Sequence, residues 1–165
     1  MFSGGTGRGM SGTALPGGRS QLYGDADGPL PPADFAVSYQ YVGAAMPPVQ
    51  HCSYVVEVAA SGAGTLEFHP GYEREPRWTY RFQVGDPCRR EAYLRLLAEG
   101  FFAADPQAPP GPSGGARALL RVTSSGCSYE CYDDSGVRCE EVIRALVPDE
   151  VWMDLTYRRE RHTAI

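Results

Sequence analysis

Five cysteines, three histidines and one acidic turn are the side chains of this 165-residue chain with chemistry to offer. The cysteines are Cys52, Cys88, Cys127, Cys131 and Cys139, and the histidines are His51, His69 and His162. Thiolates and imidazoles together suggest zinc, whose ligand atoms must converge to within about 4 Å of one another. The candidate metal set is His51 and Cys52 with Cys127, Cys131 and Cys139. No C-x2-C pair occurs. Cys127 and Cys131 read as one strand, which would hold them about 13 Å apart and prevent their sharing an ion. Buried structural thiols are the ordinary reading, with a disulfide such as Cys131–Cys139 or a metal site at His51 and Cys52 as alternatives. Cys88 falls in the first turn of a helix beside Arg89 and Arg90, where the helix dipole lowers a thiol pKa. A small apolar plug is the ordinary reading there too.

The remaining motifs are weaker. No histidine sits in an H-x-H or H-E-x-x-H pair, and none has a visible acid to orient it beside a nucleophile. Asp133-Asp134-Ser135-Gly136, with Glu140-Glu141 following, is the densest acidic stretch. A calcium loop needs ligands at alternate positions, and Ser135-Gly136 breaks that pattern, so a turn is expected. Gly7-Arg8-Gly9-Met10-Ser11-Gly12 matches G-x-G-x-x-G, but no strand precedes it and no helix follows. Arg77 and Arg81 share the wet face of a strand and are the candidate partner-binding residues, able to present two guanidiniums to an acidic partner. Their neighbours Glu73 and Glu75 are expected to neutralise them. No catalytic constellation emerges, and no cofactor is called for.

The elements that must position these residues centre on Arg77–Phe102. Trp78, Tyr80, Phe82 and Val84 alternate with polar residues, which predicts a strand with one dry face. Asp86 is the expected N-cap and Pro87 the first helical residue. Tyr93, Leu96, Leu97 and Phe101 follow helical spacing, with Gly100 as the expected stop. The aromatic side of the strand is expected to lie under this helical stripe. Upstream, strands are expected over Phe35–Val42, Cys52–Ala60 and Thr65–His69, joined as an antiparallel meander. Downstream, Ala118–Val122 and Cys127–Tyr132 form a hairpin, Val137–Cys139 a short strand, and Glu140–Val147 and the Val151–Leu155 region two helices. The fold class is α+β: an antiparallel sheet with one main helix and one or two short C-terminal helices on one face.

Composition sets the boundaries. Residues 1–32 are rich in Gly, Ser and Pro and cannot offset the roughly 1–2 kcal/mol per residue that ordering costs, so a disordered arm is expected. Residues 33–157 form a single domain with a long Pro/Gly loop at 103–115, and 158–165 a polar tail. The formal charge of −5 argues against nucleic acid as a partner. No apolar run is long enough for a membrane span. All fifteen basic residues are arginine, as a GC-rich, bacterial genome would give. An odd number of cysteines without a visible secretory signal implies reduced thiols and a cytoplasmic location.

Gly100-Phe101-Phe102 closing a helix, a long polar loop, a strand, Ser128-Tyr129-Glu130 in a second strand, a turn at Asp133–Gly136 and a short helix near Leu146 form a recurring pattern. Over about residues 80–150 it resembles the emfourin-type proteins, inhibitors of protealysin-type metalloproteases, and related bacterial families. That resemblance implies protease inhibition by a compact α+β protein, and no site residue is carried over from it. The function expected from the sequence is a non-catalytic module that binds another protein, an accessory or protease-inhibitor-like protein. A cysteine-dependent metal-binding or redox protein is the alternative.

Overall fold

The computed structural model describes residues 28–73, 76–103, 115–132 and 139–163. The G-x-G-x-x-G match, most of the 103–115 loop, the Asp133–Gly136 turn and Val137-Arg138 lie outside the described residues.

Six strands form one antiparallel sheet: β1 (Ala36–Val42), β2 (Cys52–Val58), β3 (Ala63–Pro70), β4 (Trp78–Gln83), β5 (Arg117–Ser124) and β6 (Cys127–Tyr132). Their spatial order is β4-β3-β2-β1-β5-β6. The first four strands are the expected meander. Helix α1 (Asp86–Ala98) then leads the chain to β5, which pairs with the far side of β1. Helices α2 (Cys139–Leu146) and α3 (Asp149–Thr163) close the chain. None of the helices among the described residues is long and apolar enough to cross a membrane.

Alternation along each strand decides which side is covered. Tyr80, Leu66, Val56, Tyr39, Leu120 and Cys131 are cross-strand partners in sequence, so one row of side chains spans all six strands. Leu66, Val56, Tyr39 and Leu120 in that row are fully buried. The adjacent row is an aromatic ladder. Trp78 stacks on Phe68 at 5.4 Å between centroids, Phe68 on Tyr54 at 6.4 Å, and Tyr54 on Tyr41 at 5.0 Å. Such offset stacks add about 0.5–1.5 kcal/mol each beyond area burial. The opposite face carries Gln40, Glu57, Arg81, Arg121 and Glu130, all exposed.

Helix α1 differs from expectation in three ways. Gly85, not Asp86, is the N-cap of α1, and Asp86 opens the helix itself. Its carboxylate lies in the first turn, where it suits the helix dipole, and it faces Arg89 at 3.6 Å. The buried stripe of α1 is Ala92 and Leu96, while Leu97 is exposed. Trp78 and Tyr80 of the aromatic face of β4 meet α3, where α1 was expected: Trp78 touches His162 and Tyr80 bonds to Asp154. The chain must travel from β4 past three strands to β5, and on that crossing α1 packs on α2 and on Phe35 just before β1, which Tyr93 meets at 5.3 Å. Gly100 ends the helix as expected, with φ +71 and its N–H on the Leu97 carbonyl.

Cys139 is not in a strand. It opens α2, whose Cys139, Val142, Ile143 and Leu146 recur at i, i+3, i+4 and i+7 and are all buried. The expected tail from residue 158 is helical through Thr163. Arg158 pairs with Asp154 one turn back at 3.0 Å, which extends the helix past its two buried residues, Val151 and Leu155.

The end of the domain segment nearest the N-terminus is tied down twice. Arg90 donates to the carbonyl of Gly28 and Arg89 to that of Phe35 at 3.2 Å, binding residues 28–35 to α1. Asp34 accepts hydrogen bonds from the amides of Ser125 and Gly126 at 2.8 and 2.7 Å. Those two residues form the β5–β6 turn, both with positive φ, the geometry of a type I′ hairpin. These amide bonds hold the Asp34 carboxyl below its ordinary value of 3.8. A group whose folded pKa is depressed stabilises the fold above its unfolded pKa and loses that contribution as pH falls through the folded one. Chemical denaturation between pH 6 and pH 2 should therefore show an acid-induced loss of stability that is smaller in Asp34→Ala, which should already be less stable than the parent at pH 6.

Candidate protein-interaction surface

The sequence-predicted metal residues are not brought together. His51 ends the β1–β2 loop, stacked on Tyr72 at 3.8 Å between ring centroids, with Nδ1 3.1 Å from the Ala44 carbonyl oxygen. Tyr72 in turn donates its hydroxyl hydrogen to the Met46 carbonyl at 2.8 Å and accepts from the Met46 amide at 3.0 Å. His51 is thus a brace for the 43–51 loop. Cys52 points to the covered side of β2, and burial pushes its thiol pKa up, which disfavours the ligating thiolate. Cys127 and Cys131 share β6, three strand spacings or about 14 Å from β2. Cys139 is buried at the start of α2. None of the five cysteines is in a disulfide, so the alternative Cys131–Cys139 bridge is absent. Cys139 is a helix residue and not a hairpin partner of Cys131, which removes the premise of that bridge. Among the described residues no three His, Cys, Asp or Glu side chains are grouped to hold one ion. Cys88 is exposed and not the apolar plug expected.

Arg77 and Arg81 lie at and within β4, the edge strand. Arg77 reaches Glu67 on β3 at 3.5 Å, and the same carboxylate accepts from or pairs with His69 Nε2 at 3.0 Å. Glu67, one strand over, therefore partners Arg77 where the near neighbours Glu73 and Glu75 were expected to; Glu75 lies outside the described residues. Arg81 is exposed on the open face and makes no ion pair among the described residues.

The other face of β4 borders a groove that the sequence reading missed. Asp154, Tyr157, Arg158 and Arg161 recur at i, i+3, i+4 and i+7 on α3, so they form one stripe. With Trp78 of β4 they line an open pocket of about 350 Å³. The Tyr80 hydroxyl donates to Asp154 Oδ2 at 2.8 Å, and Arg158 Nε donates to the same oxygen at 3.0 Å. Arg158 lies over the Tyr80 ring at 5.4 Å and Arg161 over the Tyr157 ring at 5.6 Å. The His162 ring meets Trp78 edge-on at 5.7 Å. The stripe escaped notice because it holds no aliphatic residue, and only its spacing marks it.

β4 pairs with β3 on one side and has no partner strand on the other among the described residues. Half of its backbone N–H and C=O groups therefore point outward, a template for an added strand. The site can pair with backbone, stack on planar groups and bind anions. It holds no nucleophile–base pair.

Burial first, and the bond to Asp154 second, push the Tyr80 phenol up to about 12. Absorbance titration should find one tyrosine ionising near that value. Asp154→Asn should lower it without returning it to the ordinary value of 10.0, because burial remains. A phenol with a raised folded pKa stabilises the fold below its unfolded pKa and is lost as pH rises through the folded one, so the parent should lose stability above about pH 10. No protein-family model matches the chain, and no curated protein matches it in sequence.

Proposed function

We propose that the chain is a non-catalytic binding module for another protein, and that an extended segment of that partner docks along the free edge of β4. The observation that carries this reading is the position of β4. Among the described residues it ends a six-stranded sheet with its outer backbone groups unpaired, and a helix stripe stands beside it as a wall. Strand addition of this kind takes affinity from main-chain hydrogen bonds and specificity from alternate side-chain pockets. The rest of the helix-covered face is occupied by the core, and the scattered thiols offer no shared centre. A protease-inhibitory role, implied by the resemblance to emfourin-type proteins, is one specific form of the same proposal.

Site-specific photo-crosslinking tests it. A benzophenone side chain placed at Thr79 or Gln83, both exposed on β4, should capture a partner from an extract of the source cell. The same group at Gln40, exposed in the middle of the open face, should not. Capture from Gln40 with none from β4 would place the interface on the sheet face and refute edge docking.

A further inference from the structure

We infer that the docking segment is acidic and that its carboxylates are read from both sides of β4. This rests on edge docking at β4, which the experiment below tests separately. A strand added to an edge directs successive side chains to opposite faces of the sheet. On the helix side, every second side chain would meet Arg158 and Arg161. On the open side, the intervening ones would meet Arg81 and Arg77.

The local charge favours this partner. The chain as a whole carries a formal charge of −5. Of the four arginines at this edge, Arg77 and Arg158 pair with Glu67 and Asp154, and the other two pair with no carboxylate among the described residues. Arg81 and Arg161 make no ion pair among the described residues. Among the described residues Arg161 is held by Tyr157 and by no carboxylate, its guanidinium over the Tyr157 ring with Nη1 3.4 Å from the phenolic oxygen. Arg158 spends Nε on Asp154, and a guanidinium has five N–H donors, so donors remain for a second carboxylate. Trp78 and Tyr157 form walls that exclude part of the water and strengthen a charge-assisted hydrogen bond. Phosphate shares the anionic chemistry, but the segment is assigned carboxylates, because single charges repeated along a strand match arginines spread along both faces of β4.

The probes are fluorescein-labelled peptides of nine residues alternating β-branched residues with glutamate in both registers. Matched peptides carry glutamine or phosphoserine in place of glutamate. Fluorescence anisotropy measures affinity, and amide exchange at Trp78–Gln83 reports edge pairing independently. The glutamate peptides should bind about tenfold more tightly than the glutamine peptides, a difference of about 1.4 kcal/mol. Arg161→Gln and Arg81→Gln should each remove several-fold of that advantage. Arg95→Gln, on the exposed side of α1, should remove none. Raising salt from about 0.05 M to about 0.5 M should erode the advantage, as screening requires.

Equal affinity for glutamate and glutamine peptides, with β4 amides protected by both, would overturn the acidic assignment and leave edge docking standing. Binding of the phosphoserine peptide alone would overturn the carboxylate assignment. Glutamate-selective binding without protection of β4 would overturn edge docking as its basis. Binding by no peptide would overturn both.

Discussion

The row of side chains from Tyr80 through Leu66, Val56, Tyr39 and Leu120 to Cys131 fixes the register of every strand pair at once. Four of these residues have no exposed surface, and each hydrophobic side chain so buried contributes roughly 1.5–3 kcal/mol. A slip of one residue in any pair would turn that strand's apolar set to water. The register therefore decides which face is roofed by helices and which remains open. It also sets β4 at the end of the sheet, with Trp78 continuing the ladder of Phe68, Tyr54 and Tyr41. Gly64 contributes to the same fit. The Phe82 ring of β4 lies over it so closely that a Cβ there would come 2.1 Å from the ring.

The roof is uneven. α2 presents a continuous apolar stripe, and α1 buries Ala92 and Leu96 while Tyr93 reaches Phe35 and Phe102. α3 buries only Val151 and Leu155 among the described residues, both in its first half. Its second half is held to β3 and β4 by arginines over rings and by His162 against Trp78, next to the Tyr80–Asp154 bond. Cation–π contacts of this exposed kind contribute about 0.5–1 kcal/mol each. The end of α3 is consequently the part of the roof that yields at least cost, and it is the part that borders the free edge. A wall that adjusts beside an unpaired strand suits recognition of an extended chain.

Alternation made the strands legible. Val37 and Tyr39, Val56 and Val58, Leu66 and Phe68, and Leu120 and Val122 all face the core as their spacing implied. The β5–β6 turn was legible because Ser125-Gly126 is small and polar. Helix placement was not legible. Local spacing shows that α1 has an apolar side but not what it covers: Tyr93 meets Phe35, while Trp78 and Tyr80 of β4 meet α3. The last helix was misread from residue 158 because Arg158-Arg159-Glu160-Arg161 carries no apolar period, while the forces that order it are rings and a carboxylate on other elements. Cys139 looked like strand because a polar turn was expected just before it, yet it begins the stripe of α2. Of the site, Arg77 and Arg81 were found from their shared face, and their position at an edge came only with the sheet order.

Native-state hydrogen exchange of the free protein tests the free edge most directly. Amides of β1 and β2, enclosed in the middle of the sheet, should exchange slowest and together, at the free energy of global unfolding. The amides of β4 should split by alternation: those bonded to β3 protected, those facing outward exchanging near the rate of an unstructured peptide. Uniform protection along Trp78–Gln83 would mean that this side of the sheet is already covered, and the recognition surface would have to lie elsewhere.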